Sequence, residues 1–219
     1  MKISLIFVAA LMQIIYCPSL RAADDIILYP RGMDRPGLYI PGYRTYSSAP
    51  YINSPRNVAA LQELKQTLPT VRLSGFSSSS PGKTSLACRL SYPVYFPGKA
   101  PYEIYLAEAL RAELFEAGLY DDRLGVPIAG HLVTMDFSSF GSPKWIVEAT
   151  FSVPEKEPIA IKYEYPFSVG SGAARACGDT SIALVPAIQG FLLTVYSDPK
   201  FKALFNLANP TSQHSDPEK

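Results

Sequence analysis

The chain has 219 residues, a formal net charge of +1, 14 tyrosines and 20 prolines, but only two histidines and three cysteines. That near-neutral balance offers no basic excess to drive binding to nucleic acid or to an acidic membrane surface, and so few histidines starve most metal and acid–base schemes. The length suits one ordinary domain with a leader and a tail.

The opening, MKISLIFVAALMQIIYCPSLRAADD, carries one basic residue, Lys2, then an apolar run from Ile3 to Tyr16 and a small-residue exit at Ala22-Ala23. This is the pattern of an export signal over 1–22, cleaved near Ala22 or Ala23. The apolar run is shorter than the roughly 20 residues a membrane-spanning helix needs, which favours cleavage over anchoring. Losing Lys2 and Arg21 with the leader takes the formal charge from +1 to −1. Cys17 raises the alternative of a lipidated cysteine and an outer-membrane-anchored lipoprotein. The bulky Tyr16 stands where such sites take a tiny residue, so the expected location is the periplasm or beyond, with membrane association only if Cys17 is lipidated. Once Cys17 is gone, Cys88 and Cys177 remain, and an oxidising compartment pairs them. The loop they close is long, and the bond contributes about 3–5 kcal/mol in the chain-entropy model.

Residues 23–56 hold Pro30, Pro36, Pro41, Pro50 and Pro55 with no sustained period, so an extended, poorly packed arm is expected there. Tyr29, Tyr39, Tyr43, Tyr46 and Tyr51 interleave with Arg31, Arg35 and Arg44, which suits a strap that docks a protein partner. The plainer reading of the same composition is a flexible spacer before the folded domain at 57–206.

Asn53-Ser54-Pro55 before Val58, Leu61, Leu64 and Leu68 predicts a short capped helix ended by Pro69. Val71–Phe76 alternates as a strand, broken by SSSSPGK, and a second strand is expected from about Ser85 to Tyr95, carrying Cys88. The run PYEIYLAEALRAELFEAGLY is the clearest helix, with Ile104, Ala107, Leu110, Leu114 and Ala117 on one stripe and Gly118 as its left-handed stop. Three strands follow. His131, Val133, Met135 and Phe137 share a face of the first; Trp145, Val147, Ala149 and Phe151 of the second; Ile159, Ile161, Tyr163, Tyr165 and Phe167 of the third. Turns at Gly141-Ser142-Pro143 and VPEKEP make them antiparallel. A small-residue loop, GSGAARACGD, leads to a closing helix with Ile182, Val185, Ile188, Leu192 and Val195 inward, delayed or bent by Pro186. Ser197-Asp198-Pro199 stops it, Phe201, Leu204 and Phe205 make a last turn, and 207–219 is a polar tail. The expected fold is an α+β two-layer sandwich, a largely antiparallel five-stranded sheet with two main helices on one face, preceded by the extended N-terminal arm. Cys88 and Cys177 would staple the start of the last helix to that sheet.

Chemistry-bearing motifs are sparse. Gly82-Lys83-Thr84 imitates the end of a phosphate loop, but Ser77 stands where the motif needs glycine, and a strand follows where it needs a helix. His131 with Asp136 and Ser138 or Ser139 is the one local set for a serine hydrolase; strict alternation puts His131 and Asp136 on opposite faces, and no Gly-x-Ser-x-Gly elbow exists. Glu103, Glu108, Glu113 and Glu116 lie off the helix stripe and read as a solvated face, and Glu148 and Glu164 fall on the outward register with Thr150 and Lys162. No catalytic residue, metal ligand set or cofactor site follows from these patterns.

The phrases PYEIYLAEALRAELFEAGLYDD, PIAGHLVTMDFSSF, KWIVEATFSV and YEYPFSVGSGAARACGDTSIALVPAIQGFLLTVYSDPKF together resemble small envelope proteins of Gram-negative bacteria. These are lipoproteins and transport auxiliaries whose core is similar to the N-terminal domain of the TolB translocation protein. The shared features are a helix ending in Ala-Gly-Leu-Tyr, a strand with Gly130 near its start and a close at Asp198-Pro199-x-Phe201. The resemblance spans about Val71 to Leu204. It implies a non-catalytic accessory or binding protein of the cell envelope that docks to an assembly or transport complex; the alternative is a secreted hydrolase using His131 as general base.

Overall fold

The computed structural model describes residues 46–90 and 92–205. The expected leader with Cys17, the arm residues Tyr29, Arg31, Arg35, Tyr39, Tyr43 and Arg44, and the tail 207–219 lie outside them.

Ordered packing begins before the expected boundary at 57. The strand β1 (Tyr46–Ser47) pairs parallel with β4 (Tyr92–Tyr95), and Tyr46 is 2% exposed. Residues 46–56 are therefore part of the folded body and not of a loose arm. Helix α1 (Pro55–Leu64) starts as expected, with Ser54 Oγ accepting from Asn57 N and Pro55 in the first turn, where its missing N–H costs nothing.

Two sheets replace the expected single one. The larger runs β2 (Val71–Ser78), β5 (Val126–Ser138), β6 (Lys144–Ser152), β7 (Ile159–Pro166) in that order. The pairs β5–β6 and β6–β7 are antiparallel, while β2 runs parallel to β5. The smaller sheet has the order β1, β4, β3 (Ser85–Cys88). What read as one strand from Ser85 to Tyr95 is a hairpin, because the chain reverses after Cys88 through Arg89 and Leu90, both at positive φ. No glycine, asparagine or proline marks that reversal, which is why periodicity ran straight through it.

Helix α2 (Tyr102–Glu116) buries a wider stripe than the expected one: Tyr102, Tyr105, Leu106, Ala109, Leu110 and Leu114 are inside, whereas Ile104 is 45% exposed. Gly118 stops it at φ 69°. The C-terminal helix is two, α3 (Ala173–Ile182) and α4 (Leu184–Ser197), so the expected loop GSGAARACGD is largely helical. Pro186 has no N–H to return to the Ile182 carbonyl, and the chain breaks at Ala183. Ile182, expected inward, is 54% exposed beyond the break, while Leu184, Ala187, Ile188, Phe191, Leu192 and Val195 fill the core. Together Ala173–Ser197 are long and apolar enough to cross a membrane by composition, and here they supply that core. The helix α5 (Pro199–Ala203) is capped by Asp198, which accepts from Lys200 N at 2.7 Å.

Helices α2 and α4 pack on one face of the larger sheet; among the described residues no helix lies over the other face, which carries Thr150, Lys162 and Glu164. Trp145 sits at the centre of the covered face, fully buried, its Nε1–H donating to Thr180 O at 3.0 Å. A second small core of Tyr46, Cys88, Val94 and Cys177 lies between the smaller sheet and α3.

Candidate functional site

Cys88 and Cys177 form a disulfide, with Cα atoms 5.8 Å apart and neither residue exposed. It ties α3 to the smaller sheet, not to the larger one. Tyr46, expected in a docking strap, belongs to the core beside this bond. Tyr51 is likewise turned inward: its hydroxyl donates to Glu113, whose side chain has no exposure at all.

Glu113 was expected on a solvated face and is instead the centre of a buried polar node. Its Oε1 accepts from Tyr51 Oη, from Ser54 N at 3.1 Å and from Asn57 Nδ2 at 3.0 Å; its Oε2 accepts from Asn57 Nδ2 at 3.1 Å and from Tyr196 Oη at 2.9 Å. No cation pairs with it among the described residues. The donors come from the entry strap, α1 and α4, so one carboxylate on α2 joins four segments of chain. Burial, reinforced by the nearby carboxylate, drives the ionisation of Tyr51 and Tyr196 well above the ordinary tyrosine range, so both phenols stay protonated donors. Asn53 and Gln189 extend the node, Asn53 donating to Glu116 and Gln189 Nε2 to Ile52 O at 2.8 Å.

Glu103 is also buried rather than solvated, at 8% exposure. Its Oε1 accepts from Gly82 N at 2.9 Å. An acid thus fills the place where a phosphate loop would hold its anion, and β3 follows directly, so the Gly82-Lys83-Thr84 resemblance has no phosphate geometry behind it.

His131 lies on the open face of the larger sheet. The strand β5 carries a bulge between Leu132 and Thr134, so Gly130, Leu132, Met135 and Phe137 face inward opposite Phe151, Ala149, Val147 and Trp145. The face expected for His131, Val133, Met135 and Phe137 therefore switches at the bulge: His131 points out and Val133 is 38% exposed. The same extra residue places Asp136 on the outer face with His131, against the alternation argument, yet no hydrogen bond joins them. His131 is held instead by two serines, with Ser77 Oγ 2.9 Å from Nδ1 and Ser79 Oγ 3.1 Å from Nε2. Ser77 stands directly opposite it on β2. With both ring nitrogens engaged by hydroxyls and no carboxylate among the described residues bonded to the ring, this trio has no acid to complete a nucleophile–base–acid relay there. The adjoining N–H groups are taken too, Ser79 N by Leu132 O at 2.9 Å and Ser80 N by Ser78 Oγ at 3.1 Å, leaving no paired donors for an oxyanion.

Outside the sheets, a cleft of about 630 Å³ runs along the outward side of α2. Glu108, Arg111, Ala112 and Phe115 form one wall and Tyr120, Asp121 and Asp122 the other. Phe115 is 73% exposed, and Leu124 just beyond is 87% exposed. Arg111 is paired with Glu108, and the N–H groups of Leu124 and Arg123 hold the Asp121 carboxyl below its usual range. The cleft is mixed, with the Phe115 and Tyr120 rings beside the charged Glu108, Arg111, Asp121 and Asp122, and the sequence showed only its polar helix residues, as a solvated face. No three His, Cys, Asp or Glu side chains come together in metal-binding geometry among the described residues.

No protein-family model and no curated protein matches this sequence. Two chains of solved structures match. One is the crystal structure of a Xanthomonas campestris protein described by the DUF330 family model, at 10% identity and a TM-score of 0.43, covering 69% of this chain and 94% of that one. A likeness of that size carries no argument about this chain's function.

Proposed function

We propose that this chain is an exported, non-catalytic accessory or binding protein of a bacterial cell envelope, of the TolB-like transport-auxiliary kind that its sequence resembles, docking to an envelope assembly or transport complex. The observation that carries the reading is the buried Cys88–Cys177 bond: the two cysteines outside the leader pair with each other, which suits an oxidising compartment. The inward placement of Tyr46 and Tyr51 narrows the docking strap to Tyr29, Tyr39, Tyr43, Arg31, Arg35 and Arg44, and the cleft along α2 adds a surface where exposed Phe115 lies among charged side chains.

A secreted hydrolase with His131 as base has one observation in its favour, the 2.9 Å contact to Ser77 Oγ. Among the described residues no carboxylate bonds to His131, and the nearby Ser79 and Ser80 N–H groups are already bonded, which favours the binding reading.

Intact-mass measurement on the chain recovered from fractionated cells, before and after mild cross-linking, tests the proposal. The expected product lacks the leader, carries two hydrogens fewer than the reduced chain and cross-links to an envelope protein through the segment 24–45. An unprocessed cytosolic product with all thiols free would overturn it.

A further inference from the structure

Two hairpin tips meet at Arg89. Between β3 and β4, Arg89 and Leu90 have φ of 48° and 64°, a left-handed conformation that costs a residue with a Cβ about 1–2 kcal/mol and that Gly or Asn adopts more cheaply. Leu90 is nevertheless 99% exposed, so packing against the described residues does not compensate for a large apolar side chain there. Beside it, the β5–β6 tip presents Phe140 at 61% exposure, with the Arg89 guanidinium 3.9 Å from the ring centroid. The same guanidinium donates to the Ser139 carbonyl and, through Nε, to Ser139 Oγ at 3.2 Å. Ser139 is itself buried, its Oγ 3.7 Å from Cys88 Sγ, and Cys88 is bonded to α3. The two tips form one braced ledge, and Arg89 takes part in none of the ion pairs among the described residues.

Two outward apolar side chains beside a cation that makes no ion pair among the described residues suit a surface that is apolar and anionic at once. In the headgroup region of a bilayer containing anionic lipid, apolar groups enter the acyl boundary and a guanidinium meets phosphate. We propose that Leu90 and Phe140 touch a lipid bilayer, steered by Arg89 to anionic headgroups. Two side chains of this size give weak, reversible contact, so the ledge orients the protein on a membrane rather than anchoring it. The strain at Leu90 then has a use outside the fold.

The test places a fluorophore at the ledge. The substitution Phe140→Trp in the full chain is compared with Thr150→Trp on the open sheet face, using phosphatidylethanolamine–phosphatidylglycerol vesicles with brominated acyl chains. Emission of the unsubstituted chain is subtracted to remove Trp145. Quenching is expected at position 140 and not at 150, weaker on purely zwitterionic vesicles. Adding Leu90→Gly should lower the apparent vesicle affinity about tenfold while leaving the urea midpoint equal or higher, because glycine relieves the left-handed strain. Equal quenching at the two positions, or quenching indifferent to Leu90→Gly, would overturn the proposal. So would baseline quenching with a protein captured by a cross-linker placed at 140.

Discussion

Glu113 is ringed by hydroxyl and amide donors and His131 by two hydroxyls, yet they sit in opposite settings. The carboxylate is closed off among four chain segments, while the imidazole lies between two serines on an uncovered sheet face. The same hydrogen-bond chemistry has different consequences, because a donor that loses its acceptor inside the protein has no water to turn to, whereas one on the surface does. The inner cluster is thus a structural keystone, and the outer one is a local surface contact.

Three measurements sharpen that contrast, and the largest concerns the keystone. Glu113→Ala strands two phenols and the Ser54 N–H and leaves the Asn57 amide only its bond to Gln189 O, and should cost about 3–5 kcal/mol in urea denaturation. A loss below about 1 kcal/mol would show that water enters and replaces the carboxylate. The second is alkaline stability. Tyr51, Tyr102, Tyr105 and Tyr196 all ionise well above 10 when folded, chiefly because of burial, so above pH 10 the unfolded chain sheds phenolic protons that the folded chain keeps. The unfolded state then binds fewer protons, and stability falls as pH rises, by up to about 1.4 kcal/mol per pH unit for each such tyrosine. A flat stability from pH 9 to 11 would contradict the burial of these rings. The smallest effect belongs to the outer cluster, where His131→Ala should move the urea midpoint by no more than about 0.5 kcal/mol equivalent. Should this substitution abolish a hydrolytic activity found in a substrate screen, the hydrolase reading would displace the binding one.

The sequence made several elements legible. The capped start of α1, the Gly118 stop, the two antiparallel turns around β6 and the last turn at Phe201 each carry a local signal, and all stand where expected. What stayed hidden depends on partners distant in sequence. Glu113 lies three, four and seven positions after Leu110, Ala109 and Leu106, within the buried stripe of α2, but a lone charge there reads as surface until Tyr51, Asn57 and Tyr196 are brought against it. The bulge in β5 leaves no composition mark, and one extra residue moves the inward set from positions 131, 133, 135 and 137 to Leu132, Met135 and Phe137. The parallel pairing of β2 with β5 is equally silent, since it joins strands separated in sequence by β3, β4 and α2. Gly130 is clearer in retrospect: a Cβ there would come within 2.1 Å of the Phe76 ring, so the glycine makes room for an aromatic side chain from the neighbouring strand.

The Cys88–Cys177 bond also sets an order of events. A polypeptide emerges N-terminus first, whether from a ribosome or through a translocon, so the first thiol waits until a further 89 positions have followed it. By then every strand has already been delivered, and the sulfur–sulfur link cannot guide early chain collapse. It acts as a late clasp on the strands, and only α4 and α5 among the described elements arrive after it can close.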